Sequence, residues 1–470
     1  MQNPRLYLFG GSFNPIGMNH ILIIRKILEH MSPEDDLVLV ICGIRTDGKE
    51  SVNDTAAIHR AAILALTVAW INDPRVKIDF SDLDRKEFER AWDTIERYRK
   101  MGHNVHYIIG GDQITDEKGD HPLREQWYRG EELFQTGHFV IFKRPDYKFE
   151  IKDLPPNHEM FEAVHPGSSS KIRLRCFNRL DISEFVIPQV AQYIGRYQLY
   201  TGRPSTGEAL FKPQGPAIII CDESRDRATE LKDLVERVNT SRVGEPDHII
   251  VIGGDGFMID TIRDFGHLRL PMLGLNAGTT GFLLNDGTLE ELEERLRAGR
   301  FVVYQQPLLQ ALIEDQDGEL LTCRAVNEVF VHRATARSIS MRVTINRVER
   351  FANLSGDGLM LSTAAGSTGW SYFAGGDQIL IGTPSLVLTG DKTGVHGLRW
   401  VTGKVPIHSR VVIELQNTDW RPGLVYVDGE ELPNRVKAIT LHASHAYAVE
   451  LAFFPQTDLA EKHMRRQFAS

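Results

Sequence analysis

The sequence predicts an α/β protein built as two successive modules, the second ending in a β-rich region. Three observations carry this expectation. Two short apolar runs, Leu6-Tyr7-Leu8-Phe9 and Ile249-Ile250-Val251-Ile252, each break into a glycine loop followed by a helical pattern, as a buried parallel strand with a ligand loop would. Between them, residues 201–215 (TGRPSTGEALFKPQG) are rich in Pro, Gly, Ser and Thr and read as a linker. Beyond Phe301 the pattern turns to short alternating runs, such as Met341-Arg342-Val343-Thr344-Ile345 and Arg410-Val411-Val412-Ile413-Glu414-Leu415, which predict mostly antiparallel strands. The expected boundaries are 1–200 for the first domain, 201–215 for the linker and 216–470 for the second, with an α/β part at 216–300 and a β-rich part at 301–450.

At 470 residues the chain exceeds one ordinary domain of ~100–200 residues. Its 42% hydrophobic and 25% charged residues are those of a soluble globular protein. The net charge of −9 argues against a nucleic-acid binder, which needs a cationic face for the phosphate backbone. Cys42, Cys176, Cys221 and Cys323 stand far apart without CxxC spacing, so neither a zinc cluster nor a disulfide framework is indicated. No leader is expected, since the first residues carry no basic-then-apolar signal, and no apolar run reaches the ~18 residues of a membrane span. A cytoplasmic homo-oligomer acting on small molecules, with no nucleic-acid or membrane partner, is expected.

In the first module the initial strand runs into Gly10-Gly11-Ser12-Phe13-Asn14-Pro15-Ile16-Gly17-Met18-Asn19-His20, and Ile21–Leu28 continues as a helix. Strand, glycine loop and helix start make a phosphate site, because backbone N–H groups converge there without side-chain obstruction. Leu37–Ile41 is a second buried strand, followed by GIRTDGKE, which falls short of a P-loop because Glu50 stands where Ser or Thr would hold Mg²⁺; Lys49 remains as a phosphate contact. Residues 53–70 read as a helix containing His59-Arg60, and Tyr107-Ile108-Ile109-Gly110-Gly111-Asp112 repeats the strand-then-glycine form. Gly167-Ser168-Ser169-Ser170-Lys171-Ile172-Arg173 offers three hydroxyls and two cations at a helix start, suited to a triphosphate.

The two loops together resemble the nicotinamide mononucleotide adenylyltransferase family, with its GxFxPxxxxH loop and late SSTxIR segment, over residues 5–200. Most of that superfamily has HxGH where this chain has Gly17-Met18-Asn19-His20; the eukaryotic form GSFNPITNMH is the closer match. The resemblance implies a Rossmann-like nucleotidyltransferase domain in which His20 stabilises the phosphates. Gly10, Ser12, Phe13, Gly110, Asp112, Ser170, Lys171 and Arg173 would bind ATP, and Asn14, Lys49, Trp92, Thr94 and Trp127 the mononucleotide, with the indoles stacking on the pyridine ring. Aromatic residues are more often core.

In the second module a strand at Ala217–Cys221 and a helix at Ala228–Val238 precede the Ile249 strand, which ends in Gly253-Gly254-Asp255-Gly256. A GGDG turn alone is usually only a turn. Here it is followed in order by Asn276-Ala277-Gly278-Thr279-Thr280-Gly281-Phe282, by Asn327-Glu328, and by Gly356-Asp357-Gly358-Leu359 running on to Gly366-Ser367-Thr368-Gly369-Trp370-Ser371. This series resembles the NAD kinase family over residues 216–470. Phe257 replaces a commonly polar residue, Gly369-Trp370 replace Ala-Tyr, and Val395-His396-Gly397-Leu398 stands for Pro-His-Ser-Leu. The resemblance implies Asp255 as general base for the adenosine 2′-hydroxyl, Gly254 and Gly256 admitting donor phosphates, and Asn276, Phe282, Asn327, Glu328, Asp357, Thr368 and Ser371 binding NAD or ATP. Mg²⁺ would arrive with ATP, with no protein ligand to metal named. The expected whole is a bifunctional enzyme making NAD and then NADP; the alternative is an NAD kinase whose N-terminal domain senses nucleotide without turnover.

Overall fold

A computed structural model describes residues 4–43, 55–85, 88–116, 119–143, 150–162, 167–202, 208–278, 281–432 and 435–467. The chain divides into two compact units, Met1–Ser205 and Thr206–Ser470.

The first unit is a parallel sheet of six strands among the described residues: β1 (Arg5–Gly11), β2 (Asp36–Ile41), β3 (Val76–Asp79), β4 (Asn104–Gly110), β5 (His138–Lys143) and β6 (Asn157–Glu162), in the order 3-2-1-4-5-6. This is the doubly wound order, in which chain direction across the sheet reverses between β1 and β4. Strands buried on both faces must be apolar throughout, and Leu8, Leu37, Leu39, Val140 and Ile141 are fully buried. The ends of β1 and β4 carry Gly10-Gly11 and Gly110-Gly111, so both glycine signals meet at the switch point. They meet closely: a β-carbon on Gly10 would lie 2.2 Å from the Tyr107 hydroxyl of β4.

The second unit opens with β7 (Glu208–Phe211), which corrects the linker reading. Glu208-Ala209-Leu210-Phe211 pairs antiparallel with Tyr304 to Phe301, and Ala209 and Phe211 are buried. The alternation of one short segment was hidden among turn formers. Three parallel strands follow, β8 (Ala217–Cys221), β9 (His248–Gly253) and β10 (Met272–Asn276). Helices Asp226–Asn239, Asp255–Phe265 and Leu289–Ala298 accompany them, the last closed at its start by a Thr288/Glu291 capping box.

From β11 (Phe301–Asp315) onward the pairing is antiparallel, except that the long strand Val436–Phe453 also pairs in parallel with β10 through Leu451 and Ala452. That strand joins the α/β and β-rich parts into a single sheet of sixteen strands among the described residues, so the expected division at 300 is not a structural seam. Its pairing with β11 slips between Pro307 and Leu309, where proline has no N–H to donate. No helix among the described residues is long and apolar enough to cross a membrane.

Candidate active sites

In the first unit, His20 stands in the first turn of helix Met18–His30, and its Nδ1 accepts the Gly17 backbone N–H at 3.1 Å. A ring nitrogen that accepts from an amide carries no proton, so this bond orients the ring with Nδ1 toward the loop. Phe9 and Phe13 flank the ring. Phe13 is buried with φ +43, a conformation that costs a bulky residue and that ligand loops retain. Gly17 explains the missing first histidine. A β-carbon there would meet Ile172 Cδ1 at 2.7 Å and the Phe185 carbonyl oxygen at 3.0 Å, so the packing disfavours a side chain.

The late signature is stapled to the first loop. Ser168 caps the helix Ser169–Phe177, accepting the Lys171 N–H; Ser169 donates to the Pro15 carbonyl at 2.9 Å; and Arg173 donates to the Asn14 carbonyl at 2.7 Å and to the Ser170 hydroxyl at 3.2 Å. Asn14 itself is buried and accepts the Tyr200 hydroxyl, leaving its Nδ2 without a partner. A buried, unmatched amide N–H₂ calls for an acceptor from water or a ligand.

Asp112 folds back over Gly110 and accepts from Gln113, whose other amide atom accepts the Trp127 indole N–H at 3.1 Å. Trp127 and Asp112 therefore belong to one chain of hydrogen bonds. Trp92 is buried in the unit's core with Leu6, Val38 and Ile95, and the Arg129 guanidinium lies 3.9 Å over its ring. Thr94, also buried, donates to Glu89 and the Arg90 carbonyl. Lys49 lies outside the described residues.

Sequence reasoning left Arg60 without a role. It is almost wholly buried and donates to the carbonyls of Ser12 (3.0 Å) and Cys42 (2.8 Å), tying the loop after β1 to the end of β2. The available signal was a cation inside an alanine-rich apolar helix, since a buried guanidinium must find acceptors. Its neighbour His59 bonds to Tyr193, and burial drives its pKa down to about 4, so it remains neutral.

In the second unit the GGDG turn caps the helix Asp255–Phe265, with Gly254 at the N-cap. Asp255 accepts the backbone N–H of Phe282 through Oδ2 (2.9 Å) and of Leu283 through Oδ1 (3.0 Å). The first two motifs thus form one structure. Asn276 braces this turn, accepting from Gly278 and donating to Asp286, while Thr279 and Thr280 fall outside the described residues. Phe282 is buried against His463. Asn285, which sequence reasoning missed, is fully buried and bonds to Gly274, Ala452, Phe454 and Thr457.

The remaining motifs share a core with these. Met258 and Leu283, beside Asp255 and Phe282, pack in one cluster with Val326 and Ala365, beside Asn327 and Gly366. A β-carbon on Gly366 would lie 2.3 Å from the Asn327 carbonyl oxygen, so the two turns touch through backbone. Here the polar atoms are unmatched: Asn327 Oδ1, Glu328 Oε2 and the Ser362 hydroxyl are buried without hydrogen-bond partners. Burial, then the neighbouring Asp428 carboxylate, pushes Glu328 up to about 8. Asp428, also missed, accepts the N–H groups of Val326, Asn327 and Glu328, yet burial still raises its carboxyl above the usual range.

Three expected residues are engaged by protein partners. Ser371 is fully buried and shares a 2.7 Å hydrogen bond with Thr389. Thr368 donates to the Ala365 carbonyl. Asp357 pairs with Lys392 and Arg333, the Lys392 hydrogen bond holding its carboxyl below the usual range. No group of three His, Cys, Asp or Glu able to hold a metal occurs among the described residues.

Residues 8–175 match the Cytidylyltransferase-like family, and residues 180–298 match the ATP-NAD kinase N-terminal domain. The second match begins inside the first compact unit. The geometry is the better guide there, because Tyr193 is bonded to His59 of that unit at 3.0 Å. An NAD kinase of Hyphomonas neptunium is 35% identical over 225 residues, 48% of this chain and 87% of the relative. One of Brucella suis biovar 1 is 30% identical over 245 residues, 52% of this chain and 94% of the relative, and one of Rickettsia bellii is 28% identical over 250 residues, 53% and 96%.

Proposed function

The chain belongs to the NAD kinase family, and from that premise we propose a bifunctional enzyme whose cytidylyltransferase-like N-terminal unit makes the NAD that the C-terminal unit phosphorylates. The observation that carries the kinase half is the Asp255 carboxylate at the strand end, held in place by the backbone amides of Phe282 and Leu283 at the end of the Asn276–Phe282 motif. A ribose hydroxyl is a poor nucleophile until its proton is taken. Asp255 takes that proton as the 2′-oxygen bonds to the γ-phosphorus of ATP; the bond from that phosphorus to the bridging oxygen breaks, and ADP departs with the electron pair. Neutral Glu328 and the unmatched Asn327 carbonyl offer a donor and an acceptor to the nucleoside.

In the first unit the nucleophile is a mononucleotide phosphate, already charged at neutral pH, so alignment and charge stabilisation suffice. A phosphate oxygen bonds to the α-phosphorus of ATP and pyrophosphate leaves. The His20 ring and the helix start at Ser169 stabilise the triphosphate, Arg173 and Ser169 hold the first loop, and the Asn14 amide meets the mononucleotide. Mg²⁺ accompanies ATP and neutralises phosphate charge.

The test is to incubate the protein with nicotinamide or nicotinate mononucleotide, ATP and Mg²⁺, then separate the products by chromatography. The dinucleotide and its 2′-phosphate are expected with the amide substrate. NADP formed only when NAD is supplied would mark the N-terminal unit as a nucleotide sensor, and no NADP from NAD would sink the kinase reading. Action in the cytoplasm, as a homo-oligomer, belongs to the same proposal.

A further inference from the structure

A polyphosphate donor brings about four negative charges to a site whose identified side chains are themselves acidic, and charge developing on the phosphates must be met by fixed cations or dipoles. Among the described residues, four cations contact or flank the 276–287 segment. Lys462 donates to the carbonyls of Gly281 and Leu284 and pairs with Asp286; Arg227 donates to the Gly287 carbonyl; and Arg295 donates to the Asp286 carbonyl. Each is committed to shaping the turn.

Arg225 is different. Its Nε donates to Asp222 at 2.8 Å, which aims the guanidinium, while its two terminal nitrogens make no hydrogen bond among the described residues. Those nitrogens lie against both glycine turns at once: a β-carbon on Gly254 would sit 3.2 Å from Nη2, and one on Gly278 would sit 2.9 Å from Nη1. The glycines thus leave the space the fork occupies. Gly254 is also the N-cap of the helix that begins with Asp255, so the fork stands beside that helix start and its outward N–H groups. The side chain remains 43% exposed, open to a ligand arriving from solvent.

We infer that Arg225 is the donor-phosphate contact of the kinase site, its two terminal nitrogens meeting oxygens of the β- and γ-phosphates while Asp222 fixes its direction. A planar fork suits this role better than an ammonium because it can hold two phosphate oxygens simultaneously. As the γ-phosphorus passes to the 2′-oxygen, negative charge grows on the β–γ bridging oxygen that leaves with ADP, and the fork stabilises it. This assignment rests on the kinase reading.

The test uses the full chain with NAD and ATP. Arg225→Met keeps the stem and removes the charge; kcat/KM for ATP should fall at least about 100-fold, with KM for NAD within twofold and the melting temperature unchanged. Added ethylguanidinium should restore part of the rate in Arg225→Ala, a response that a purely structural side chain would not give. If the methionine variant melts early, Arg225→Lys keeps the test open: it should fall roughly tenfold for ATP, and parental kinetics there would overturn the two-pronged contact. Arg225→Met at the parental rate, while Asp255→Asn is dead, overturns this inference and leaves the kinase standing. A parent chain that makes no NADP removes both.

Discussion

The two candidate sites present opposite chemistry to the same kind of substrate. In the first unit the functional side chains are donors, and their anchors are carbonyls: Arg173 on Asn14, Ser169 on Pro15, Arg60 on Ser12 and Cys42. In the second unit they are carboxylates, and their anchors are amides: Asp255 on Phe282 and Leu283, Asp428 on Val326 to Glu328. The difference follows from the nucleophile. A phosphate arrives with its charge and needs donors, whereas a hydroxyl arrives with a proton and needs an acceptor.

The largest expected effect breaks the acceptor side. Asp255→Asn fits the same space but cannot take a proton, and NADP formation should fall by ~10²–10⁴ while NAD formation persists. Kinase turnover within threefold of the parent would rule Asp255 out as the base. On the donor side, His20→Ala should remove adenylyl transfer and spare phosphorylation of supplied NAD. Gly17→His should not raise the rate in either background, because the Phe185 carbonyl and Ile172 occupy the space of its β-carbon. Parental NAD synthesis by His20→Ala would show that the N-terminal site has been misassigned.

A smaller effect sharpens the comparison through pH. Glu328 holds its proton to about pH 8 when folded, against ~4.3 in an unfolded chain, so the folded state binds the extra proton between those values. Its contribution to stability is complete below pH ~4.3 and is lost as pH rises through about 8. Glu328→Gln carries no such proton, and its melting temperature relative to the parent should rise by several degrees between pH 5 and 9, at roughly 2–4 °C per ~1 kcal/mol in a domain of this size. Parallel melting curves across that range would contradict a buried neutral carboxyl.

The smallest effect concerns the separation of the two chemistries. Cleavage after Gly207 leaves the strand at Glu208–Phe211 whole, so fragments 1–207 and 208–470 should be soluble and each keep its own reaction. Only coupled flux should drop, and modestly, as tethering at an effective concentration of order millimolar is lost. A fragment that is dead while the intact chain works would mean that the units depend on each other.

What was legible in the sequence is what depends on local backbone. Gly10-Gly11, Gly110-Gly111 and Gly253-Gly254 stand at strand ends, and those marks point to both candidate sites. Contacts between distant segments left no such trace. Asp428 holds Asn327 from 101 residues away, and Asn285 reaches Phe454 across 169. Trp92 and Ser371 show the converse limit: residue type and spacing are alike for a buried aromatic and a stacking one, or for a hydroxyl facing a ligand and one facing Thr389. Phe211 shows it for packing, since a strand of four residues carries too little alternation to stand out from a turn-rich stretch.

The strand Val436–Phe453 lies inside its sheet, between β11 on one edge and β10 and Val411–Gln416 on the other. It also follows, in order of synthesis, every other strand of that sheet among the described residues. At ~5–20 residues per second, the stretch from 206 to 435 takes roughly 10 to 50 s to synthesise, and throughout that interval the parallel strands of the kinase unit lack their central neighbour. The first unit, complete by Ser205, can close meanwhile. Ribosome-bound chains halted at residue 435 should therefore resist protease across 1–205 and be cut within 217–276; protection of both would mean that the parallel strands assemble without the one that joins them to the rest.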